Sequence, residues 1–195
     1  MQPLPYIFSP HADSPQVRHF GALVAKEFRI PRQLGEIMYH RGLRTLEAVQ
    51  AFLYPQLSML PSPDSMKGIG EAVDSIVHAC TTASPIFIHG DYDVDGITAT
   101  ALLTVFFNEI GIDTHYYIPN RLEERYGLSV RSIDRLLAQS REAGRGGLLI
   151  TVDCGISAVR EVAYARERGL VVIITDHHEP QATLPCADAL LNPKQ

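Results

Sequence analysis

From residue 85 onward, short apolar runs alternate with longer segments whose apolar residues recur every three or four positions. The short runs predict buried strands, and the segments between them predict helices. In chain order the predicted strands are PIFIH (85–89), THYYI (114–118), GLLITV (147–152), LVVIIT (170–175) and DALL (188–191). Nearly all-apolar strands that alternate with helices are typical of a parallel sheet covered on both faces. The sequence therefore predicts an α/β fold with a doubly wound, mainly parallel five-stranded sheet.

Serines and glycines mark the ends of the helices predicted between these strands, at 97–111, 129–139 and 157–169. Ser129 and Ser157 are suitable N-caps, because a serine hydroxyl accepts a hydrogen bond from a free N–H of the first turn. Gly111 and Gly169 are suitable C-terminal stops, because glycine readily adopts the left-handed conformation that ends a helix.

The first 68 residues follow a different pattern. TLEAVQAFL (45–53) places apolar residues at helical spacing after Thr45, a suitable N-cap, and the stretch 54–68 contains three prolines typical of an irregular linker. A further helix is predicted over about 69–79. We expect an extended arm, short helices and a linker over 1–68, followed by the α/β domain over 69–195.

The composition is globular, with 46% apolar and 20% charged residues. The three cysteines lie far apart, show no zinc-site spacing and favour a reducing compartment. No signal peptide and no run long enough to span a membrane are visible. These features predict a cytoplasmic protein with no membrane partner. The net charge of −5 argues weakly against a nucleic-acid partner, although residues 18–44 carry six basic residues against two acidic ones.

Acidic residues and histidines collect at the carboxyl ends of three predicted strands. HGDYDVDG (89–96) follows the first strand, Asp153 follows GLLITV, and the triplet 176–178 follows LVVIIT. In an open parallel sheet these ends share one edge, where ligands bind, so we expect the three clusters to meet. Cys154 follows Asp153 directly and should point to the opposite side of an extended chain.

The first cluster has a metal-binding residue at every second position, namely His89, Asp91, Asp93 and Asp95. An extended backbone would direct all four side chains to one face, where carboxylates repel one another unless a cation lies between them. Carboxylate and imidazole ligands suit Mg²⁺ or Mn²⁺, and two such ions about 3.5–4 Å apart serve phosphoryl chemistry. Gly96 either serves the turn or opens a helix N-terminus that receives a phosphate oxygen.

The motifs HGDYDVDG, TVDCG and TDHH resemble those of the DHH phosphoesterase superfamily. The stretch YIPNRLEERYGLS (117–129) and the ending ALLNPKQ are similar to the RecJ single-strand-specific exonucleases. The resemblance runs through about residues 45–195. It implies a hydrolase that degrades single-stranded DNA from the 5′ end, depends on Mn²⁺ or Mg²⁺, serves recombination and repair, and has a single-strand-binding protein as a partner.

The resemblance also implies roles for single residues. The implied metal ligands are Asp93, Asp95, Asp153 and His177, with Asp153 as the bridge. His89 is implied as a further ligand or as a partner of one. His178 would lie beside the scissile phosphate and act with Asp153 and His177 in catalysis. Two carboxylates, Asp91 and Asp176, would orient the ligands.

The DNA-binding residues implied by the resemblance lie in the stretch 117–129. Arg121 would contact a DNA phosphate, with the 5′ phosphate as the candidate, because its planar fork suits phosphate oxygens. Tyr126 would support that arginine, stack on a base or simply pack. Asn120 is assigned to the same phosphate-binding group.

In this family a carboxylate farther along the chain completes the metal site, and a second catalytic domain follows. We therefore expect a fragment with an incomplete two-metal site and weak or absent activity of its own. Two alternatives stay open: a DHH-type phosphodiesterase or pyrophosphatase that acts on small nucleotides, and a non-catalytic replication scaffold. The stretch 117–129 and the residues before the first motif favour the exonuclease, and the intact motif residues argue against the scaffold.

Overall fold

The computed structural model describes residues 14–139 and 146–195. The chain divides into two compact units, and the boundary between them lies between Pro61 and Ser62. The extended arm predicted at the start of the chain falls mainly on residues 1–13, outside the described part. The domain boundary expected between residues 68 and 69 stays a prediction. No helix of the described part is long and apolar enough to cross a bilayer.

The first unit consists of three helices, α1 (Pro15–Phe28), α2 (Arg32–His40) and α3 (Leu46–Leu53). Thr45 caps α3 as predicted, because its hydroxyl accepts a hydrogen bond from the Ala48 N–H at 3.2 Å. Glycines let α1 and α2 pack closely: a Cβ on Gly35 would lie 3.0 Å from the Gly21 Cα. Two short 3₁₀ helices, Leu57–Met59 and Pro63–Ser65, interrupt the predicted linker.

The second unit is built on a five-stranded sheet. Its strands are β1 (Ile86–Gly90), β2 (Thr114–Tyr117), β3 (Gly147–Val152), β4 (Leu170–Thr175) and β5 (Ala189–Leu191). Their order in the sheet is β2-β1-β3-β4-β5, and every neighbouring pair is parallel. The five predicted strands and the doubly wound parallel fold are confirmed.

Both faces of this sheet are covered by helices. The helices are α4 (Ile69–Thr81), α5 (Val94–Glu109), α6 (Val130–Gln139) and α7 (Val159–Glu167). Ile86 and Ile88 pack in one core with residues of α4 and α5, whereas Phe87 packs in a second core with residues of α6 and α7. Alternate residues of one strand thus enter two cores, which explains the apolar runs of β1, β3 and β4.

Helix boundaries agree with the prediction at Ser129 and differ at two other places. The Ser129 hydroxyl accepts from the Ser132 N–H at 3.1 Å, as expected of an N-cap. Helix α5 begins at Val94, three residues earlier than expected, because Asp93 caps it by accepting from the Gly96 N–H at 3.1 Å. The prediction of Ser157 as an N-cap is wrong, since α7 begins only at Val159.

The turn between β3 and α7 explains the later start of α7. Asp153 and Gly155 both have positive φ angles, of 60° and 111°. The Ala158 N–H donates to the Gly155 carbonyl at 2.9 Å and closes a turn that contains Ser157. These residues keep Ser157 out of the helical conformation.

Close packing of α5 on the end of β1 explains two glycines. A Cβ on Gly90 would lie 2.0 Å from the Thr100 Oγ1, and a Cβ on Gly96 would lie 2.5 Å from the backbone nitrogen of Asp91. Gly96 therefore stands in the first turn of α5 because the helix lies directly against the backbone of Asp91.

Replacing Gly96 by alanine tests this packing. We expect Gly96→Ala to lower the free energy of unfolding by about 1–3 kcal/mol, because the added methyl group meets backbone that has no room to move. Gly70, in α4, is the matched control, since a Cβ there would meet no atom within 4 Å. Gly70→Ala should raise the free energy of unfolding by about 0.5–1 kcal/mol. Urea unfolding of both variants measures the difference, and equal effects would contradict the packing argument.

Candidate metal centre

The ends of β1, β3 and β4 bring the three motifs to one place. These strands are neighbours in the sheet, and Gly90 pairs with Val152, which pairs in turn with Thr175. One residue beyond this row stand Asp91, Asp153 and Asp176. The parallel register therefore places one aspartate from each strand at the same edge, as the sequence predicted.

Five side chains form two groups that share one member. Potential ligand atoms of Asp91, Asp93 and Asp153 lie within 4.8 Å of one another, and so do those of Asp153, His177 and His178. Among the described residues, neither group includes His89 or Asp95. The extended backbone ends at Gly90, so the alternation does not continue to Asp95, whose exposed side chain lies in the first turn of α5.

Asp153 is the shared member and has an unusual backbone. Its φ of 60° is left-handed, a conformation that residues other than glycine seldom adopt. Its N–H donates to the Thr175 carbonyl at 3.0 Å, and its Oδ1 lies 2.9 Å from the His177 Nε2. Burial and the neighbouring Asp93 carboxylate raise the pKa of Asp153. A hydrogen bond from the Gly96 backbone lowers the pKa of Asp93, so the two carboxylates differ in their readiness to ionise.

Asp91 carries the clearest sign of a missing positive charge. Its side chain is fully buried, and neither carboxylate oxygen has a hydrogen-bond partner among the described residues. Burial raises the pKa of this carboxyl group, and the nearby backbone N–H groups of Tyr92 and Gly127, which do not reach hydrogen-bond geometry, lower it only in part. Buried carboxylates are normally paired, hydrogen-bonded or bound to a metal, so these two free oxygens fit a divalent cation.

His89 is buried at the end of β1, in contact with Cys154 and beside the Tyr117 ring. Its Nε2 has no hydrogen-bond partner among the described residues, and burial lowers the pKa of the ring to about 4. The imidazole is therefore neutral at neutral pH, which is the form that binds metals. Cys154, expected to point away on an extended chain, instead packs against His89, because the backbone at Asp153 is not extended. Burial raises the pKa of the Cys154 thiol, which stays protonated.

Asp176 holds both histidines of the triplet. Its Oδ1 accepts from the backbone N–H groups of His177 at 2.7 Å and His178 at 3.0 Å, and lies 2.7 Å from the His178 Nδ1. Its Oδ2 accepts from the Ile156 N–H at 2.9 Å. Burial opposes ionisation, but these hydrogen bonds outweigh it and lower the pKa of Asp176. An ionised Asp176 thus fixes the orientation of the His178 ring.

Two tyrosines link the histidines to Arg121. The Tyr126 hydroxyl donates to the Asp153 carbonyl at 3.1 Å and lies 3.2 Å from the His178 Nε2. Burial raises the pKa of Tyr126, so its hydroxyl stays protonated. The Tyr92 ring meets the Tyr126 ring edge-on at 6.1 Å, and the Arg121 guanidinium carbon lies 5.4 Å from the Tyr92 ring centre. Tyr92 is not predicted from the sequence, because a single tyrosine among the carboxylates of HGDYDVDG carries no signal of its ring contacts with Tyr126 and Arg121.

Hydrogen bonds of the Asn120 and Glu124 side chains hold the loop that carries Arg121 and Tyr126. The Asn120 Oδ1 accepts from the Leu122 N–H at 3.0 Å and closes the turn around Arg121. Glu124 accepts from the Tyr117 hydroxyl at 2.7 Å and from Arg135 at 2.6 Å. The sequence does not predict these contacts of Glu124, because Tyr117 lies in β2, Glu124 in the loop and Arg135 in α6.

The free oxygens of Asp91 allow a test without any substrate. The folded-state pKa of Asp91 is raised above 3.8, so the ionised group destabilises the fold once the pH exceeds both values. Removing this charge should therefore stabilise the metal-free chain at neutral pH. We expect Asp91→Asn to raise the free energy of unfolding there by about 1 kcal/mol, with the gain disappearing as the pH falls below 3.8.

Urea unfolding with a chelator across this pH range measures the effect. Asp74→Asn, which removes the same charge at an exposed position of α4, is the matched control. Saturating Mn²⁺ should reverse the ranking, because the wild-type carboxylate then has a cation to bind. A variant that is less stable than wild type in chelator would contradict the assignment.

Comparison with known proteins agrees with this geometry. The model of the DHH family, N-terminal domain, matches residues 85–195, which include all three strand-end motifs. The single-stranded-DNA-specific exonuclease RecJ of Bacillus subtilis is 37% identical over 172 residues, covering 88% of this chain and 21% of that protein. RecJ of Escherichia coli is 36% identical, covering 84% of this chain and 27% of that protein. The chain thus spans about a quarter of the length of these relatives.

Solved structures show the same relationship. A crystal structure of exonuclease RecJ bound to manganese is 38% identical, with a TM-score of 0.60, covering 71% of this chain and 33% of that one. RecJ of Thermus thermophilus in complex with Mn²⁺ is 31% identical, with a TM-score of 0.61, covering 90% of this chain and 23% of that one. Because the family model matches more than half of the chain, including every strand-end motif, the chain belongs to the DHH family.

Proposed function

We propose that the chain is part of a metal-dependent exonuclease that degrades single-stranded DNA from the 5′ end. The observation that carries the proposal is the pair of buried Asp91 oxygens beside Asp153, which have no hydrogen-bond partner within residues 14–139 and 146–195, at the edge where three strands end. The similarity to proteins named single-stranded-DNA-specific exonuclease supports the choice of substrate.

The residues at this edge fit divalent cations. Among the described residues the salt-bridge partners of Asp153 and Asp176 are histidines, and no lysine or arginine pairs with the carboxylates of either group. We assign Asp93, Asp153 and His177 as ligands of Mn²⁺ or Mg²⁺, with Asp153 shared. The structure adds Asp91 to the carboxylate group, while Asp95 and His89 stay predicted ligands outside both groups.

The chain's own residues supply orientation and proton transfer. When bound, a divalent cation lowers the pKa of water and neutralises charge on phosphate oxygens. Asp176 fixes His178 through its Nδ1, which leaves the His178 Nε2 beside the Tyr126 hydroxyl. We assign His178 as the group that gives or takes a proton at the reacting phosphate, since its side chain is 47% exposed and its partner keeps the ring in place.

Arg121, Tyr126 and Asn120 belong to the loop between β2 and α6, which is the proposed phosphate-binding loop. Arg121 is exposed and makes no salt bridge among the described residues, so its guanidinium is available to phosphate oxygens. Tyr126 supports this loop, because its hydroxyl contacts the Asp153 carbonyl and the His178 ring, and its half-exposed ring is the candidate for stacking on a base. Asn120 fixes the turn beside Arg121.

The proposal extends to partner and location. We propose a single-strand-binding protein as the partner, because it would bind the same single-stranded DNA that the similar exonucleases are named for. The composition and the unpaired cysteines support the cytoplasm as the location.

Loss of Asp153 should remove the activity. In the longer protein, we expect Asp153→Ala to reduce Mn²⁺-dependent release of nucleotides from 5′-phosphorylated single-stranded DNA by more than about a hundredfold, because both ligand groups lose their common member. Asp74→Ala, at an exposed position of α4, is the control. Turnover unchanged by Asp153→Ala would contradict the mechanism. Hydrolysis of dinucleotides or pyrophosphate without any cleavage of DNA would show that the substrate is wrong.

Arg121 should determine the preference for a 5′ phosphate. We expect Arg121→Ala to raise KM for 5′-phosphorylated strands about tenfold and to change KM for 5′-hydroxyl strands little, because one charge-assisted contact is lost. Arg125→Ala is the matched control, since Arg125 lies in the same loop. Equal losses on both substrates would reject the assignment.

A further inference from the structure

A buried pair of side chains joins the end of β1 to the turn after β3. His89 and Cys154 are both fully buried, and the His89 Nδ1 lies 3.6 Å from the Cys154 Sγ. The same sulfur lies 3.9 Å from the His89 carbonyl oxygen. The Cys154 backbone is itself fixed, because its carbonyl accepts from the Thr151 hydroxyl at 2.8 Å. The sulfur is thus held against both the ring and the backbone of His89.

The two ring nitrogens of His89 have different surroundings. Nδ1 faces sulfur, whereas Nε2 is buried without a hydrogen-bond partner among the described residues. The Tyr117 ring lies beside the imidazole, with the ring centres 5.9 Å apart. A buried N–H without an acceptor is unfavourable, so the position of the single ring proton matters.

The two tautomers of the neutral His89 ring differ in whether every buried hydrogen-bond donor finds an acceptor. With the proton on Nδ1, the ring N–H donates to the Cys154 Sγ, and the thiol donates to the His89 carbonyl. With the proton on Nε2, the thiol donates to Nδ1, and the Nε2–H is buried with no acceptor among the described residues. Only the first arrangement gives every donor an acceptor.

We propose that Cys154 is a positioning residue that holds His89 in the Nδ1–H tautomer and leaves the Nε2 lone pair available to a divalent cation. Metal-binding histidines commonly donate their other N–H to a fixed acceptor, often a carboxylate. A thiol provides an acceptor without adding charge beside the carboxylates of Asp91 and Asp153. The tautomer follows from the contacts of this pair, whereas the availability to a cation rests on the proposed function.

The tautomer is measurable in the metal-free chain of 195 residues. Long-range proton–nitrogen correlation spectra of the isotope-labelled chain separate the two tautomers, and His89→Gln assigns the His89 signals. We expect the Nδ1–H form in the wild type, the Nε2–H form or a mixture in Cys154→Ala, and mainly the Nδ1–H form in Cys154→Ser, whose hydroxyl also donates and accepts.

Binding of Mn²⁺ to the same variants provides a second readout. Cys154→Ala should weaken Mn²⁺ binding about tenfold, measured from the paramagnetic resonance of free Mn²⁺, and Cys154→Ser should restore most of the affinity. Cys80→Ala is the matched control, because Cys80 is half-buried in α4 and lies outside the contacts of His89.

Each outcome bears on one part of the proposal. A wild-type His89 with its proton on Nε2 overturns it, even if Cys154→Ala does not fold. A folded Cys154→Ala that keeps both the tautomer and the Mn²⁺ affinity overturns the role of Cys154. A wild type in the Nδ1–H form that binds no Mn²⁺ leaves the tautomer assignment standing and removes the proposed function.

Discussion

Repulsion among carboxylates at one edge of a parallel sheet is the constraint on which the rest of this structure depends. Asp91, Asp93 and Asp153 come within 4.8 Å of one another, and two oxygens of Asp91 have no partner in the described part of the chain. Such an arrangement is unfavourable without a cation, so the fold must supply the free energy that holds it. The two apolar cores on either side of the sheet are the source of that stabilisation.

Hydrogen bonds from backbone N–H groups then decide how readily each buried aspartate ionises. Asp176 receives three backbone N–H groups and has a lowered pKa, while Asp91 receives none that meets hydrogen-bond geometry and has a raised one. Both are buried aspartates one residue beyond the end of a strand. The difference arises from the neighbouring turns. The turn after β4 supplies two N–H groups to Asp176 and the turn after β3 supplies the third, from Ile156, whereas the chain after β1 leads directly into α5. One acid is thereby suited to orient histidines, and the other to bind a cation.

The sequence predicted the sheet well, because a strand buried on both faces leaves an unbroken apolar run. It also predicted that the motifs would meet, since parallel strands place their carboxyl ends at one edge. It could not predict the left-handed backbone of Asp153 or the contact between Cys154 and His89, which joins residues 65 positions apart. The early start of α5 was missed for a local reason: Asp93 was interpreted only as a ligand, although aspartate is also a good N-cap.

His177 and His178 are adjacent in the chain, yet the turn after β4 gives each imidazole ring a different carboxylate partner. The His177 ring reaches Asp153 through Nε2, whereas the His178 ring is held by Asp176 through Nδ1. Their ring centres are 4.7 Å apart, yet the first contacts a shared carboxylate and the second faces the Tyr126 hydroxyl. Asp176 also accepts from the backbone N–H groups of both histidines, so one buried carboxylate fixes the backbone of the triplet and one of its two rings. The same buried aspartate therefore sets the path of the chain at His177 and the orientation of the His178 ring, while the His177 ring reaches a different carboxylate from the same turn.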